Sequence, residues 1–122
     1  MNKDYSNKNF PVEYLIFQIE NKENIDRFIE LDHEIWTSFL SSFPGFISKE
    51  VWVNYDTPGE IHTILIWESM DHWKNIPLDK LKLKDKEFCE KFSYNFKMTR
   101  RIHKELNHGL HKVRHFELNN NL

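Results

Sequence analysis

Residues Val12 to Glu20 read as a strand, and both of its faces are apolar. Val12, Tyr14 and Ile16 fall on one side, Leu15, Phe17 and Ile19 on the other. β-Branched and aromatic side chains favour extended backbone, and Pro11 opens the segment. A small antiparallel sheet ordinarily covers one face with helices and wets the other. A strand that is apolar on both faces needs cover on both sides. In a chain of 122 residues, a second copy is the expected source of the second layer, so a homodimer is predicted along with the sheet.

The following residues supply the first layer. Ile25, Phe28, Ile29, Ile35, Trp36, Phe39, Leu40 and Phe43 recur at three- and four-residue steps, which predicts a helix from Asn21 to Phe43 with one inward face. Asn21 or Asn24 can cap its start, and Pro44-Gly45 ends it. Phe46 to Asn54 and Ile61 to Glu68 read as strands joined by a Pro58-Gly59 turn. Ser69 and Asp71 start a helix that Pro77 interrupts. A longer helix follows, with Leu81, Phe88, Cys89, Phe92 and Phe96 on one face. Met98, Ile102 and Leu106 continue at helical spacing to Gly109, leaving Leu110 to Leu118 as a fourth strand. The order β-α-β-β-α-β predicts an α+β, ferredoxin-like sandwich. Residues 1–11 are expected to be a mobile tail and residues 12–118 a single domain.

Trp36, Trp52, Trp67 and Trp73 flank a Phe43-Pro44-Gly45-Phe46 turn, on helix, strand, strand and helix in that order. This concentration predicts one aromatic centre. If it is hollow, Tyr14, Trp36, Trp52, Trp67 and Trp73 wall a pocket for a flat hydrophobic ligand. If it is filled, the same rings build the core and a dimer interface. Asp32 lies mid-stripe, between Phe28, Ile29 and Ile35, Trp36. A carboxylate desolvated there serves either as an acid or base, or as a hydrogen-bond acceptor for an indole, hydroxyl or backbone N–H. His33, beside the stripe, is placed for the rim of a cavity, and its near-neutral titration suits proton transfer. Asp32 and His33 are the catalytic candidates.

Other classes are disfavoured. Lys plus Arg number 17 against 19 Asp plus Glu, with signs interspersed, giving a net charge of −2. Nucleic-acid binding needs a basic face that this balance does not provide. Lys80, Lys82, Lys84 and Lys86 make a charged helix face with too little apolar surface for membrane docking. The lone Cys89 excludes an internal disulfide and suits a reducing compartment. Met1 to Asn9 is polar and resembles no leader, so a cytoplasmic location is expected. His103, His108, His111 and His115 match no structural-zinc spacing and are read as surface histidines, so no metal is assigned. No motif calls for a cofactor.

The runs Asp32-His33-Glu34-Ile35-Trp36, Pro44-Gly45-Phe46, Lys49-Glu50-Val51-Trp52, Ile66-Trp67-Glu68-Ser69 and Trp73-Lys74-Asn75-Ile76-Pro77 resemble a small, mostly cyanobacterial family of uncharacterised proteins. That family is similar to the antibiotic-biosynthesis-monooxygenase-like dimeric α/β barrels. The resemblance covers Val12 to Pro77. It implies a homodimer with facing sheets, and a superfamily that includes cofactor-independent monooxygenases acting on aromatic polyketides. It also includes haem-degrading enzymes, which use a first-strand Asn and a helix His. Gln18 is the nearest equivalent of that Asn, and no His stands near Leu83, so the pattern for haem degradation is broken. The expectation is therefore a protein binding a hydrophobic or aromatic small molecule, as a monooxygenase-like enzyme or as a non-enzymatic interaction module.

Overall fold

A computed structural model describes residues 10–101 and 110–118. β1 (Phe10–Ile19) is central because both of its edges find antiparallel partners: β3 (Glu60–Trp67) on one side and β4 (Phe96–Arg101) on the other. β2 (Phe46–Asn54) extends the sheet beyond β3, giving the spatial order β2-β3-β1-β4. A short β5 (His111–Lys112) pairs with Phe10 and Pro11 at the start of β1. The connections are those of the ferredoxin-like α+β fold. The domain's first strand thus includes Phe10 and Pro11, while residues 1–9 of the expected tail lie outside the described residues.

The first helical segment is continuous but not uniform. A 3-10 turn (Lys22–Asn24) leads into α1 (Ile25–Leu31), a π-helical stretch (Asp32–Thr37) and α2 (Ser38–Ser41). Of the two possible caps, Asn21 is used: its side-chain oxygen accepts from the Glu23 N–H at 3.0 Å. The helix stops at Gly45, whose φ of +88° favours glycine; a Cβ there would also collide with the His72 ring. Ser69 caps α3 (Met70–Lys74) by accepting from the His72 N–H at 3.1 Å. Pro77 then breaks the chain before α4 (Leu78–Lys91).

The helices pack on one face of the sheet through two apolar clusters. Ile19 and Ile61 meet Phe28, Leu31, Ile35, Phe88 and Phe92. Leu65 and Trp67 meet Leu40 and Ile76, and Trp36 touches both clusters. The inner positions of β3 are Ile61, Thr63, Leu65 and Trp67, all buried, and they alternate with half-buried residues.

The structure departs from expectation after α4. Phe96 and Met98 belong to β4, opposite Ile19 and Phe17, rather than to a helix. Phe96 and Met98 fit spacing by two with each other and spacing by four with Phe92 and Ile102. The choice falls to the sheet, because β1 has an open edge that the Glu20 N–H to Asn95 carbonyl bond (3.0 Å) begins to close. Ile102, Leu106 and the predicted helix around them lie outside the described residues. Of the strand expected at Leu110 to Leu118, only His111–Lys112 is paired. Cys89 is exposed rather than inward-facing.

Candidate functional site

Between the sheet and the helices lies a cavity of about 790 Å³, mostly apolar in lining, with Phe28, Trp36, Leu65, Trp67, Trp73 and Leu81 among its walls. This volume falls in the range of small-molecule sites. A larger depression of about 910 Å³ near Asn21 and Tyr94 is a shallow groove of mostly exposed residues. It gathers no comparable set of buried polar groups.

The cavity's polar groups come from several elements. On the inner face of the sheet, Lys49 of β2, Leu65 of β3 and Glu13 of β1 share one cross-strand row. Lys49 Nζ donates to Asp32 Oδ2 at 2.6 Å, and the two side chains are only 6% and 8% exposed. Asp32 opens the π-helical stretch, in which the Ser38 N–H reaches back to the His33 carbonyl. Such wide turns shift the helical phase and recur at functional sites. Asp32 is thereby committed to an ammonium group, which makes it a charge anchor rather than a free proton acceptor.

Glu13 is the second carboxyl in the wall. The residue keeps some solvent contact, but its carboxyl is enclosed enough for desolvation to dominate, which raises its pKa above the ordinary carboxylate value. The charges of Arg101, Lys49 and Lys74 and the indole of Trp67 oppose that rise without cancelling it. The Trp67 N–H, on a side chain with 0% exposure, falls short of hydrogen-bond geometry with any partner. It is near enough to Glu13 to favour the ionised form, but it remains a buried, incompletely satisfied donor.

A raised pKa means that the folded state holds this proton more tightly than the unfolded state. Stability from this group is greatest below the ordinary carboxylate pKa and falls as pH rises through the folded value. Glu13→Gln is therefore expected to melt above the unmodified protein at pH 8, with the gap closing at pH 4. A variant that melts lower at pH 8 would mean that the ionised carboxyl is a net stabiliser.

Among the candidates from sequence, Asp32, Trp36, Trp67 and Trp73 border the cavity. His33 does not. It is exposed, because one residue along the helix from Asp32 rotates the side chain out of the packed face. Tyr14 and Trp52 are on the opposite face of the sheet. Strand parity separates Tyr14 from Glu13, and Trp52 pairs with His62. There the Tyr14 hydroxyl meets His62 Nδ1 at 2.7 Å, His62 Nε2 meets Glu60 at 2.6 Å, and Trp52, 58% exposed, donates to Glu50. Hydrogen bonds from Asn54 and His62 hold the Glu60 carboxyl below the ordinary value. Glu13, Lys49 and Arg101 were not anticipated. For two of them the signal was parity: Glu13 shares a face with Leu15 and Phe17, and Lys49 with Val51 and Val53. Parity from Phe96 and Met98 would send Arg101 outward; the register shift in the β1–β4 pairing turns it in, opposite Leu15.

His103 and His108 lie outside the described residues, and among the described residues no group of three His, Cys, Asp or Glu is placed to hold a metal. Burial and Asp85 raise the Cys89 thiol above its usual range, so it is a poor nucleophile. No described helix is long and apolar enough to cross a membrane.

Neither a protein-family model nor a curated protein matches the sequence. Solved structures do. The fold is similar to that of SnoaB, a cofactor-independent oxygenase from Streptomyces nogalater, at 11% identity over 75% of this chain and 92% of that one, with a TM-score of 0.52. A Streptomyces coelicolor monooxygenase in complex with nanaomycin D matches at 18% identity over 80% and 91% of the two chains (TM-score 0.52). A dimeric ferredoxin-like protein from an uncultured marine organism matches at 20% identity over 74% and 90% (TM-score 0.53). At these identities the likeness establishes the fold.

Proposed function

We propose that this protein binds a flat hydrophobic or aromatic small molecule in the cavity between sheet and helices, and oxygenates it without a cofactor. The observation that carries the proposal is the cavity of about 790 Å³, because a purely structural core is packed close to crystal density. The fold likeness to a cofactor-independent oxygenase and to a monooxygenase in complex with nanaomycin D supports the chemical half. An electron-rich ligand that loses a proton can itself reduce O2. Conversion of an activated aryl CH2 to a carbonyl by one O2, with water as coproduct, balances with no external reductant. In this scheme the Lys49 ammonium, aimed by Asp32, stabilises the ligand anion.

Anthrone, which carries such a CH2, is a suitable probe. Titration is expected to quench tryptophan fluorescence and to drive O2 uptake equal to the anthraquinone formed. Quenching without O2 uptake would leave a binding protein and remove the enzyme. The absence of both would remove the pocket proposal.

The proposal includes a homodimer. Val12, Tyr14, Ile16, Ile64 and Ile66 lie on the sheet face away from the helices, with the exposed Trp52 beside them. A structural neighbour is itself dimeric. In the interaction-module alternative, Tyr14 and Trp52 belong to this interface. Ile16→Glu is expected to give a folded monomer by sedimentation. Phe17→Glu, directed into the core, is expected to unfold the chain. A folded dimer of the Ile16 variant would rule out this face as the interface.

A further inference from the structure

We infer that the ligand of this pocket is an organic acid, an aromatic body carrying a carboxylate that docks against Arg101, Lys74 and the Trp67 indole N–H. The inference rests on the pocket proposal and narrows its ligand class.

The cavity's charges are unevenly committed. Lys49 shares its charge with Asp32 at 2.6 Å, and on α4 Lys82 and Asp85 carry opposite charges. Arg101 and Lys74 also line the cavity; neither makes a direct ion pair among the described residues, and the negative group their charges act on is the Glu13 carboxyl. Arg101 is placed there by register: it stands opposite Leu15 on the inner face, at the end of β4. Lys74 ends α3, with its ammonium 5.2 Å from the centre of the Trp73 ring.

The third observation is the Trp67 N–H, fully buried and short of hydrogen-bond geometry, with only the Glu13 carboxyl close enough to feel it. Buried donors are seldom left unmet, and this one borders a cavity. A carboxylate has two oxygens. One can accept the indole proton while the other meets the guanidinium, whose fork geometry suits it. A neutral hydroxyl or ether oxygen can accept from both donors, but it carries no charge to offset the guanidinium and the ammonium. Trp36, Trp73 and Phe28 then cover the aromatic body.

Glu13 gives this arrangement a pH signature. It faces Arg101 from β4, Lys49 from β2, Lys74 from α3, Trp67 from β3 and Asp32 from the π-helical stretch. Two carboxylates enclosed together do not both remain ionised. Binding of the acid therefore places a proton on Glu13, which donates it to the ligand as a hydrogen bond. Affinity must then fall as pH rises, by up to ~10-fold per unit.

The test compares 2-naphthoate with 2-naphthalenemethanol, the neutral molecule of the same shape, by calorimetry at pH 6 and pH 8. At pH 6 the unmodified protein is expected to bind the acid at least ~10-fold more tightly than the alcohol, and more weakly at pH 8. The exposed double variant Lys74→Gln/Arg101→Gln should lose the preference for the acid. Glu13→Gln should keep the preference and lose the pH dependence. Equal affinity for acid and alcohol, or a preference surviving in the double variant, overturns the inference while leaving the pocket standing. Failure of both compounds to bind overturns the inference and the pocket proposal together.

Discussion

Lys49→Met is expected to cost about 3–5 kcal/mol of folding stability, a fall in melting temperature of roughly 10–20 °C for a chain of this size. The cost comes from Asp32. With its ammonium partner removed, a carboxylate 8% exposed is left uncompensated in a site where water can do little to solvate it. Asp32→Asn is expected to be harmful for the mirror reason, since it leaves the Lys49 ammonium, 6% exposed, without its anion. Replacing both, as Lys49→Met/Asp32→Leu, should recover most of the loss, because burying two apolar chains avoids both desolvation penalties. Chemical denaturation of the three variants is decisive. A double variant no more stable than Lys49→Met would show that the site requires charge for reasons beyond mutual compensation.

Phe28→Ala is the second large effect, at about 3–5 kcal/mol. Phe28 is 2% exposed and is the hub of an aromatic cluster. Its ring centroid lies 5.3 Å from Phe17, 5.1 Å from Phe88, 5.3 Å from Phe92 and 5.3 Å from Phe96. These rings come from β1, α4, the turn after it and β4, so one truncation loosens helix, sheet and connection at once. Edge-on packing of this kind adds to simple area burial. Phe28→Leu, which keeps most of the volume, is expected to lose less than half as much. Urea unfolding that found the two variants alike would mean the neighbouring rings collapse into the space.

Much of the fold was legible because periodicity is local. The stripe from Ile25 to Leu40 and the alternation of Val12 to Ile19 each state which way a side chain points without knowledge of any partner. The cap at Ser69 and the stop at Gly45 were legible for the same reason, and the first cap was narrowed to Asn21 or Asn24, of which the structure uses Asn21. The segment after α4 was not. Phe96 and Met98 satisfy two periods, and only the open edge of β1 decides between them. The site was partly legible: Asp32 and three of the tryptophans stand on inward faces, but Tyr14 and Trp52 do not. Aromatic residue type had outweighed strand parity in their assignment. The charged residues at inward parity, Glu13 and Lys49, were the better signal.

The sequence by itself determined the elements as far as α4, their order and the two apolar faces of β1, because backbone geometry turns residue spacing directly into direction. Tertiary structure alone decided that Glu13, Asp32, Lys49, Trp67, Lys74 and Arg101 surround one cavity. They come from separate elements, and their meeting depends on strand register, on the π-helical phase shift at Asp32 and on the close approach at Gly45. Those are properties of how elements pack together, and no local pattern in the chain encodes the distance between two side chains on different elements.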